Sequence, residues 1–316
     1  MFEAIYRQIL AHDTLILHRH SRPDGDALGS QIGLKAILKE NFPEKTVYAV
    51  GDDAGFYAFM EDTVMDVIPD SAYENALAVI LDCGAPALIS DERCRLAKST
   101  VRIDHHIYSG PIAQTEVIDT SFESCCGMVT QFALESGLRV PRLAAKSLFT
   151  GMVTDSGRFR YDCTTPRTLR LAAFLLEQGI DLNEVYRDLY ADDFESKLRK
   201  AEFTLKTRFT ANRVAYIYTT REELAALVAQ GIGTFTVSRG MVNTMADIKG
   251  TEIWANFTET DRGVLCEIRS AGVNINPIAV KYGGGGHAKA SGATVADRET
   301  AMAMLRDLDQ LTGEKR

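Results

Sequence analysis

The sequence lacks the features that mark secreted, membrane-spanning and disulfide-rich proteins. Its six cysteines show no C-x-x-C spacing, and Cys125 and Cys126 are adjacent, which does not suit a disulfide framework. No apolar run reaches the roughly 18 residues that span a bilayer. The chain does not open with a basic segment followed by an apolar one. We therefore expect a cytoplasmic protein, kept reduced, with no membrane partner.

A net positive charge is also absent. The 35 lysines and arginines are outnumbered by 43 aspartates and glutamates, which gives a formal net charge of −8. Because affinity for long duplex DNA comes from neutralising many phosphates, this composition excludes such DNA as a partner. The second half also lacks the basic stripe interleaved with aromatic residues that a long single-strand track needs. A short nucleic-acid end, held at a local site, is compatible with this charge.

The pattern of apolar segments predicts two α/β domains. In the first part, short apolar strands alternate with helical segments, which indicates a doubly wound, mainly parallel sheet. After about residue 207, strand-like and helix-like segments predict a smaller α/β domain, with a cleft between the two domains. We predict a catalytic domain at 1–190, a helical linker at 191–206 and a substrate-binding domain at 207–316.

Residues of metal-binding type follow the predicted strands or helices at four places. They are His20–Asp26, Asp82, Asp104–His106 and Asp155. Taken singly, an aspartate after a strand is more often a helix N-cap than a ligand. Four such places in one α/β pattern favour a common site, because functional groups gather at the carboxyl ends of parallel strands. Several carboxylates with imidazoles on stiff supports predict a two-metal hydrolase.

These segments resemble the DHH phosphoesterase family, which is named for the triplet present here at Asp104–His106. The C-terminal part resembles the DHH-associated domain, and the length most resembles the stand-alone oligoribonuclease and pAp-phosphatase type. The matching motifs are His20-x-x-Pro23-Asp24-x-Asp26-x-x-Gly29-Ser30, Asp82, Thr154-Asp155-x-Gly157-x-Phe159, Ile268-Arg-Ser270 and Gly283-Gly-Gly-Gly-His-Ala-Lys-Ala-Ser-Gly292.

The resemblance implies two divalent ions with one shared carboxylate. His18 lies outside the motif spacing, so His20 is preferred as a ligand, and His106 is expected to contact the scissile phosphate. Imidazole and carboxylate ligands without thiolates favour Mn²⁺, with Mg²⁺ or Co²⁺ as alternatives. The implied ligands are His20, Asp24 and Asp82 for one ion, and Asp26, Asp82, His105 and Asp155 for the other.

The C-terminal part supplies the predicted substrate-binding residues. Glycines let the backbone approach an anion closely, and an arginine can clamp a phosphate through two N–H groups. His287 would stack on a base or bond a phosphate. Without the resemblance, a flexible glycine loop and a solvated Arg269 explain the same residues. The predicted set is Arg269, Gly284, Gly285, Gly286, His287 and Ser291.

The predicted function is hydrolysis of short oligoribonucleotides to mononucleotides, and of 3′-phosphoadenosine 5′-phosphate (pAp) to AMP, by a hydroxide that two metal ions activate. Asp82 and His106 are the catalytic candidates. A cyclic di-AMP or linear dinucleotide phosphodiesterase is the enzymatic alternative. A non-catalytic nucleotide sensor is the other class, and its expected mark, a missing metal ligand, is not present. A homodimer is left open.

Overall fold

The computed structural model describes residues 1–313, and the chain divides into two compact units. The first is Met1–Ala191, and the second begins at Asp192. The segment predicted as a linker, 191–206, contains a helix whose Phe203 is buried among side chains of the second unit. No helix within residues 1–313 combines the length and apolar character that crossing a bilayer requires.

The first unit is an α/β structure with a five-stranded parallel sheet, which confirms the predicted fold class. Its strands are β1 Thr14–His18, β2 Thr46–Ala49, β3 Leu77–Leu81, β4 Ser99–Asp104 and β5 Thr115–Ile118. Its helices are α1 Glu3–Ala11, α2 Gly25–Asn41, α3 Cys125–Glu135, α4 Arg142–Asp155, α5 Pro166–Glu177 and α6 Leu182–Tyr190.

The strand order, β2-β1-β3-β4-β5, reverses direction after β2. The chain runs from β1 outward to β2, and then returns to place β3 on the other side of β1. Loops leaving the carboxyl ends of β1 and β3 therefore diverge, which opens a crevice at that edge of the sheet. The strand β5 has no counterpart in the sequence analysis, because its four residues are only half-buried at the sheet edge.

The two faces of this sheet are covered differently. Leu15 and Leu17 of β1 face the main core, to which helices α1 to α6 contribute, whereas Ile16 faces the opposite side. That opposite side is covered by short 3₁₀ turns, which supply Tyr73 and Cys94 to two small apolar clusters. The alternation follows from the two-residue repeat of a strand.

Helices α2 and α4 pack closely because α2 carries glycines at four-residue spacing. A Cβ atom at Gly29 would lie 2.5 Å from the carbonyl oxygen of Ser147 in α4. At Gly25, a Cβ would lie 2.5 Å from the hydroxyl of Thr154. The absence of these side chains lets the two backbones approach, and it brings the start of α2 next to the end of α4.

The second unit contains a six-stranded sheet of order β10-β11-β9-β8-β7-β6, in which only β7 and β8 pair in parallel. Its strands are β6 Arg208–Phe209, β7 Ala215–Thr219, β8 Ile253–Thr260, β9 Gly263–Ser270, β10 Gly285–His287 and β11 Ala290–Val295. Its helices are α7 Phe194–Leu205, α8 Arg221–Ala229, α9 Asn276–Lys281 and α10 Arg298–Gly313.

The glycine run of the second unit forms an edge strand rather than a free turn. Gly285 pairs with Gly292 and His287 pairs with Ala290, so β10 closes a hairpin with β11. Gly286 has a backbone φ of +130°, a value that residues with a side chain rarely adopt. The glycines thus allow the two strands to approach closely. The sequence did not predict strand β10, because a run of glycines is typical of a loop.

Gly29→Ala tests the close approach of α2 and α4. The added methyl meets the backbone of Ser147, so we expect the free energy of unfolding to fall by about 1–3 kcal/mol, as overpacking does elsewhere. Urea unfolding would measure this change. Gly272→Ala is the matched control, because a Cβ there meets nothing within 4 Å. Equal effects of the two substitutions would contradict the packing argument.

Candidate metal centre

The first predicted motif occupies the loop after β1 and the start of α2. Asp24 is the N-cap of α2, and its Oδ1 accepts hydrogen bonds of 3.0 Å from the backbone N–H groups of Asp26 and Ala27. Asp24 is therefore both a cap and a candidate ligand, so the two explanations that the sequence offered for it do not exclude each other.

One group of ligand atoms forms around His20. Its Nε2 lies 3.7 Å from Oδ1 of Asp24 and 3.4 Å from Oδ2 of Asp82. The other ring nitrogen, Nδ1, lies 2.9 Å from the carbonyl oxygen of Ser21. A backbone contact of this kind orients the imidazole and leaves Nε2 as the ligand atom.

A second group forms around His105, on the other side of Asp82. Its Nε2 lies 3.6 Å from Oδ2 of Asp26, 3.6 Å from Oδ1 of Asp82 and 3.4 Å from Oδ2 of Asp155. In each of the sets His20–Asp24–Asp82 and Asp26–His105–Asp155, the ligand atoms lie within 4.8 Å of one another. The structure thus brings together all six side chains predicted as ligands, with Asp82 in contact with both histidines.

Asp82 is the centre of this arrangement, and its own environment suits the binding of a cation. It is buried, and its Oδ1 has no hydrogen-bond partner within residues 1–313. Its backbone has φ +49°, which is unusual for a residue with a side chain and is typical of functional sites. A buried carboxylate oxygen without a donor is costly unless a cation binds it. The donor set therefore fits divalent ions.

The charges of the site show the same need for cations. Burial and the nearby carboxylate of Asp82 raise the pKa of Asp26 to about 7. Burial, followed by repulsion from Asp26, also raises the pKa of Asp155. Although burial opposes their charged forms, the close contacts with the surrounding aspartates raise the pKa of His20 and His105 to about 11. Without metal, these imidazolium groups offset the negative charge.

Two backbone N–H groups at the start of α3 hold Asp26. Those of Cys125 and Cys126 donate hydrogen bonds of 2.7 and 2.8 Å to its two carboxylate oxygens. The positive end of the helix dipole acts on the same carboxylate. The sequence gives no indication of these two contacts, because almost any residue type can donate a backbone N–H.

His106 is oriented by Asp104, a residue of the triplet that lies outside the three-residue ligand groups. Its Nδ1 lies 2.8 Å from Oδ1 of Asp104, whose other oxygen contacts the fully buried Arg102. The ring is 40% exposed, and a Cβ at Gly84 would lie 3.3 Å from it. Arg102 and Asp104 are two residues apart in strand β4, so their side chains lie on the same face of the strand. This spacing is the sequence feature from which the pair could have been predicted.

His18 lies away from the ligands. It is fully buried on the opposite face of the sheet, where its ring centre is 5.8 Å from that of Tyr73. Burial lowers the pKa of His18 to about 4, so the ring is neutral. Successive side chains of a strand point to opposite faces of the sheet. His18 therefore lies on the same face as Ile16, opposite to Leu17, and contacts the small apolar cluster around Tyr73.

A left-handed turn begins two residues after Asp155. Gly157, Arg158 and Phe159 have φ values of +56°, +66° and +61°. For residues other than glycine, this conformation costs about 1–2 kcal/mol each. The Oγ atom of Ser156 accepts the N–H of Phe159 at 2.9 Å, which helps to hold the turn. Strained backbone next to a candidate ligand is a further mark of a functional site.

The residues predicted to bind substrate lie in the second unit, and they differ in exposure. Arg269 makes a 3.1 Å ion pair with Glu267, and His287 is exposed on strand β10. Ser291 is buried, and its hydroxyl donates a 2.7 Å hydrogen bond to the carbonyl oxygen of His287. Gly284 and Glu267 line a cavity of about 430 Å³ together with Arg239.

Comparisons with known proteins agree with these arrangements. The DHH family, N-terminal domain, matches residues 14–152, and the DHHA1 domain matches residues 222–314. The chain is 33% identical to the bifunctional oligoribonuclease and PAP phosphatase NrnA of Bacillus subtilis, over 98% of each chain. It is 26% identical to the cyclic-di-AMP phosphodiesterase GdpP of Geobacillus thermodenitrificans, but it covers only 46% of that protein.

A solved structure shows the same fold. The exopolyphosphatase-related protein of Bacteroides fragilis superposes with a TM-score of 0.84 at 24% identity, over 99% of this chain and 95% of the other. The two domain matches and the full-length similarity to NrnA agree with the ligand geometry around Asp82. The chain therefore belongs to the DHH family, with an N-terminal DHH domain and a C-terminal DHHA1 domain.

Proposed function

We propose that the protein is a metal-dependent phosphoesterase that hydrolyses short oligoribonucleotides to mononucleotides and pAp to AMP. The observation that carries the proposal is the pair of ligand groups that share Asp82. The similarity to NrnA, named for both activities, supports this choice of substrates. The cyclic-dinucleotide alternative has less support, because the chain covers under half of GdpP.

Six side chains would hold the ions in this proposal. Bound divalent ions would polarise a phosphoryl oxygen and lower the pKa of water for attack on phosphorus. Oxygen and imidazole donors without thiolates favour Mn²⁺ among the available ions, with Mg²⁺ or Co²⁺ as alternatives. The proposed ligands are His20, Asp24, Asp26, Asp82, His105 and Asp155.

His106 is the proposed contact to the scissile phosphate. The hydrogen bond that the ring of His106 donates to Asp104 raises the pKa of His106, so the imidazolium form is favoured. A protonated ring stabilises negative charge on a phosphoryl oxygen and can donate its proton to the leaving oxygen. Asp104, balanced by Arg102, fixes the ring but does not itself reach the phosphate in this proposal.

We propose that residues 1–190 carry the metal chemistry, that 207–316 select the substrate, and that 191–206 connect them. The exposed His287 and the backbone of Gly284–Gly286 are the proposed substrate contacts, with Arg269 as a phosphate contact. The buried Ser291 acts on the substrate through the carbonyl of His287, which its hydroxyl holds. All six cysteines are free thiols in the described chain, as a reducing cytoplasm would keep them.

A substrate panel tests the proposal directly. Purified protein with Mn²⁺ is given pApA, a longer RNA, pAp and cyclic di-AMP, and mononucleotide release is measured. We expect turnover of pApA and pAp that exceeds turnover of the other two. Faster turnover of cyclic di-AMP would favour the phosphodiesterase alternative. Tight binding without turnover of any substrate would favour the sensor.

Asp82→Asn should abolish activity while preserving the fold. The amide keeps the shape but removes the charge shared by the two ligand groups, so kcat should fall by about 10³-fold or more. Thermal unfolding measures metal binding separately: Mn²⁺ at 100 times its Kd should stabilise the wild type by about 2.7 kcal/mol. This stabilisation should be lost in Asp82→Asn. Asp13→Asn, an exposed aspartate of the same unit, is the control and should behave as wild type.

The Asp104–His106 pair predicts two separable effects. His106→Gln should lower kcat by about 10²-fold or more, with little change in Mn²⁺ stabilisation. Asp104→Asn should lower kcat and also destabilise the protein by about 3–5 kcal/mol, because it leaves the buried Arg102 without its nearest charge partner. Urea unfolding and steady-state kinetics measure the two effects. Equal stability of both variants would refute the assigned role of Asp104.

A further inference from the structure

Arg158 lies three residues after the candidate ligand Asp155, in the turn that follows helix α4. Its guanidinium lies 4.6 Å from the ring centre of Tyr190, and the side chain is exposed. The phenol of Tyr186 also lies within electrostatic reach of this guanidinium, and no ion pair of Arg158 with a carboxylate is found within residues 1–313. An arginine held over an aromatic ring can still direct N–H groups to the oxygens of a phosphate.

The backbone at Arg158 shows why its position is specific. It is the middle residue of the left-handed turn that starts two residues after Asp155. Its N–H donates a 2.7 Å hydrogen bond to the carbonyl oxygen of Val153 in α4, so the turn is tied to the helix that carries this candidate ligand. The backbone of Arg158 is strained, and among the described residues no ion pair of its side chain offsets the cost of that strain. Such a residue indicates a role in binding.

Tyr57 connects the Arg158–Tyr190 stack with the metal ligands. Its ring packs on α2, and burial together with the carboxylate of Asp24 raises the pKa of its phenol to about 12. The negative charges of Tyr190 and Asp155 also raise the pKa of this phenol. Tyr190 is therefore within electrostatic reach of a tyrosine that packs on α2, the helix that the candidate ligand Asp24 caps.

We propose that Arg158, held by the Tyr190 ring and the left-handed turn, binds an uncleaved phosphate of the substrate, the 5′-phosphate of a short oligonucleotide. The inference rests on the proposed function, since it assigns the metal ligands to the scissile phosphate. Arg158 is then a binding residue, and Tyr190 is a positioning residue. The stack also offers an aromatic edge near the nucleotide, as single-strand sites commonly do.

The test compares pApA with ApA, two substrates that differ only in the 5′-phosphate. The readout is the ratio of their kcat/KM values with Mn²⁺. We expect the wild type to prefer pApA by about 10- to 100-fold, the effect of one charge-assisted contact. Arg158→Gln should bring the ratio close to one, mainly through the KM for pApA. Tyr190→Leu should lower the ratio in part, whereas Tyr190→Phe, which keeps the ring, should preserve it.

Controls separate this inference from the proposed function. Arg170→Gln, on the exposed face of α5, removes the same charge and should keep the wild-type ratio. If the wild type hydrolyses neither substrate, the proposed function fails. If it hydrolyses both and Arg158→Gln leaves the ratio unchanged, only the inference fails. A ratio that responds to Arg269→Gln and not to Arg158→Gln would place the 5′-phosphate on the second unit and overturn the inference as well.

Discussion

The mutual repulsion of buried carboxylates is the constraint on which this structure depends. Asp82 and Asp26 are buried beside each other, with Asp155 close to both. Two like charges about 4 Å apart repel by about 4 kcal/mol at an effective dielectric constant of about 20. A protein keeps such a cluster only where cations offset it. Without metal, protonated His20 and His105 on either side of Asp82 offset this charge. In the proposed function, divalent ions bound by the neutral imidazoles replace those protons.

The scaffold around the cluster is arranged to hold these charges in place. The start of α3 donates two N–H groups to Asp26, and Asp24 caps α2. The glycines of α2 let α4 approach until Asp155 meets the same histidine as Asp26. Backbone donors, helix dipoles and close helix packing thus fix the ligands before any ion binds, which is the preorganisation that metal chemistry needs.

Much of the first unit could be predicted because its signals are local. Thr14–His18 and Leu77–Leu81 are short apolar runs of the kind that predicts buried strands, and both are strands of the parallel sheet. The half-buried β5 and the glycine-rich β10 escaped, since neither carries the apolar or β-branched pattern of a central strand. Their pairing is decided by neighbouring strands that are distant in sequence.

The sequence by itself determined which side chains are able to bind metal. The residue types set their chemistry, and their positions in the sequence place them directly after strands and helices. Tertiary structure decided how each one is used. It gave Asp26 its two backbone donors from α3, and it brought Asp26 and Asp155 to the same histidine. The reason is physical: burial, backbone direction and close packing arise from contacts between segments up to about a hundred residues apart, and no local pattern encodes them.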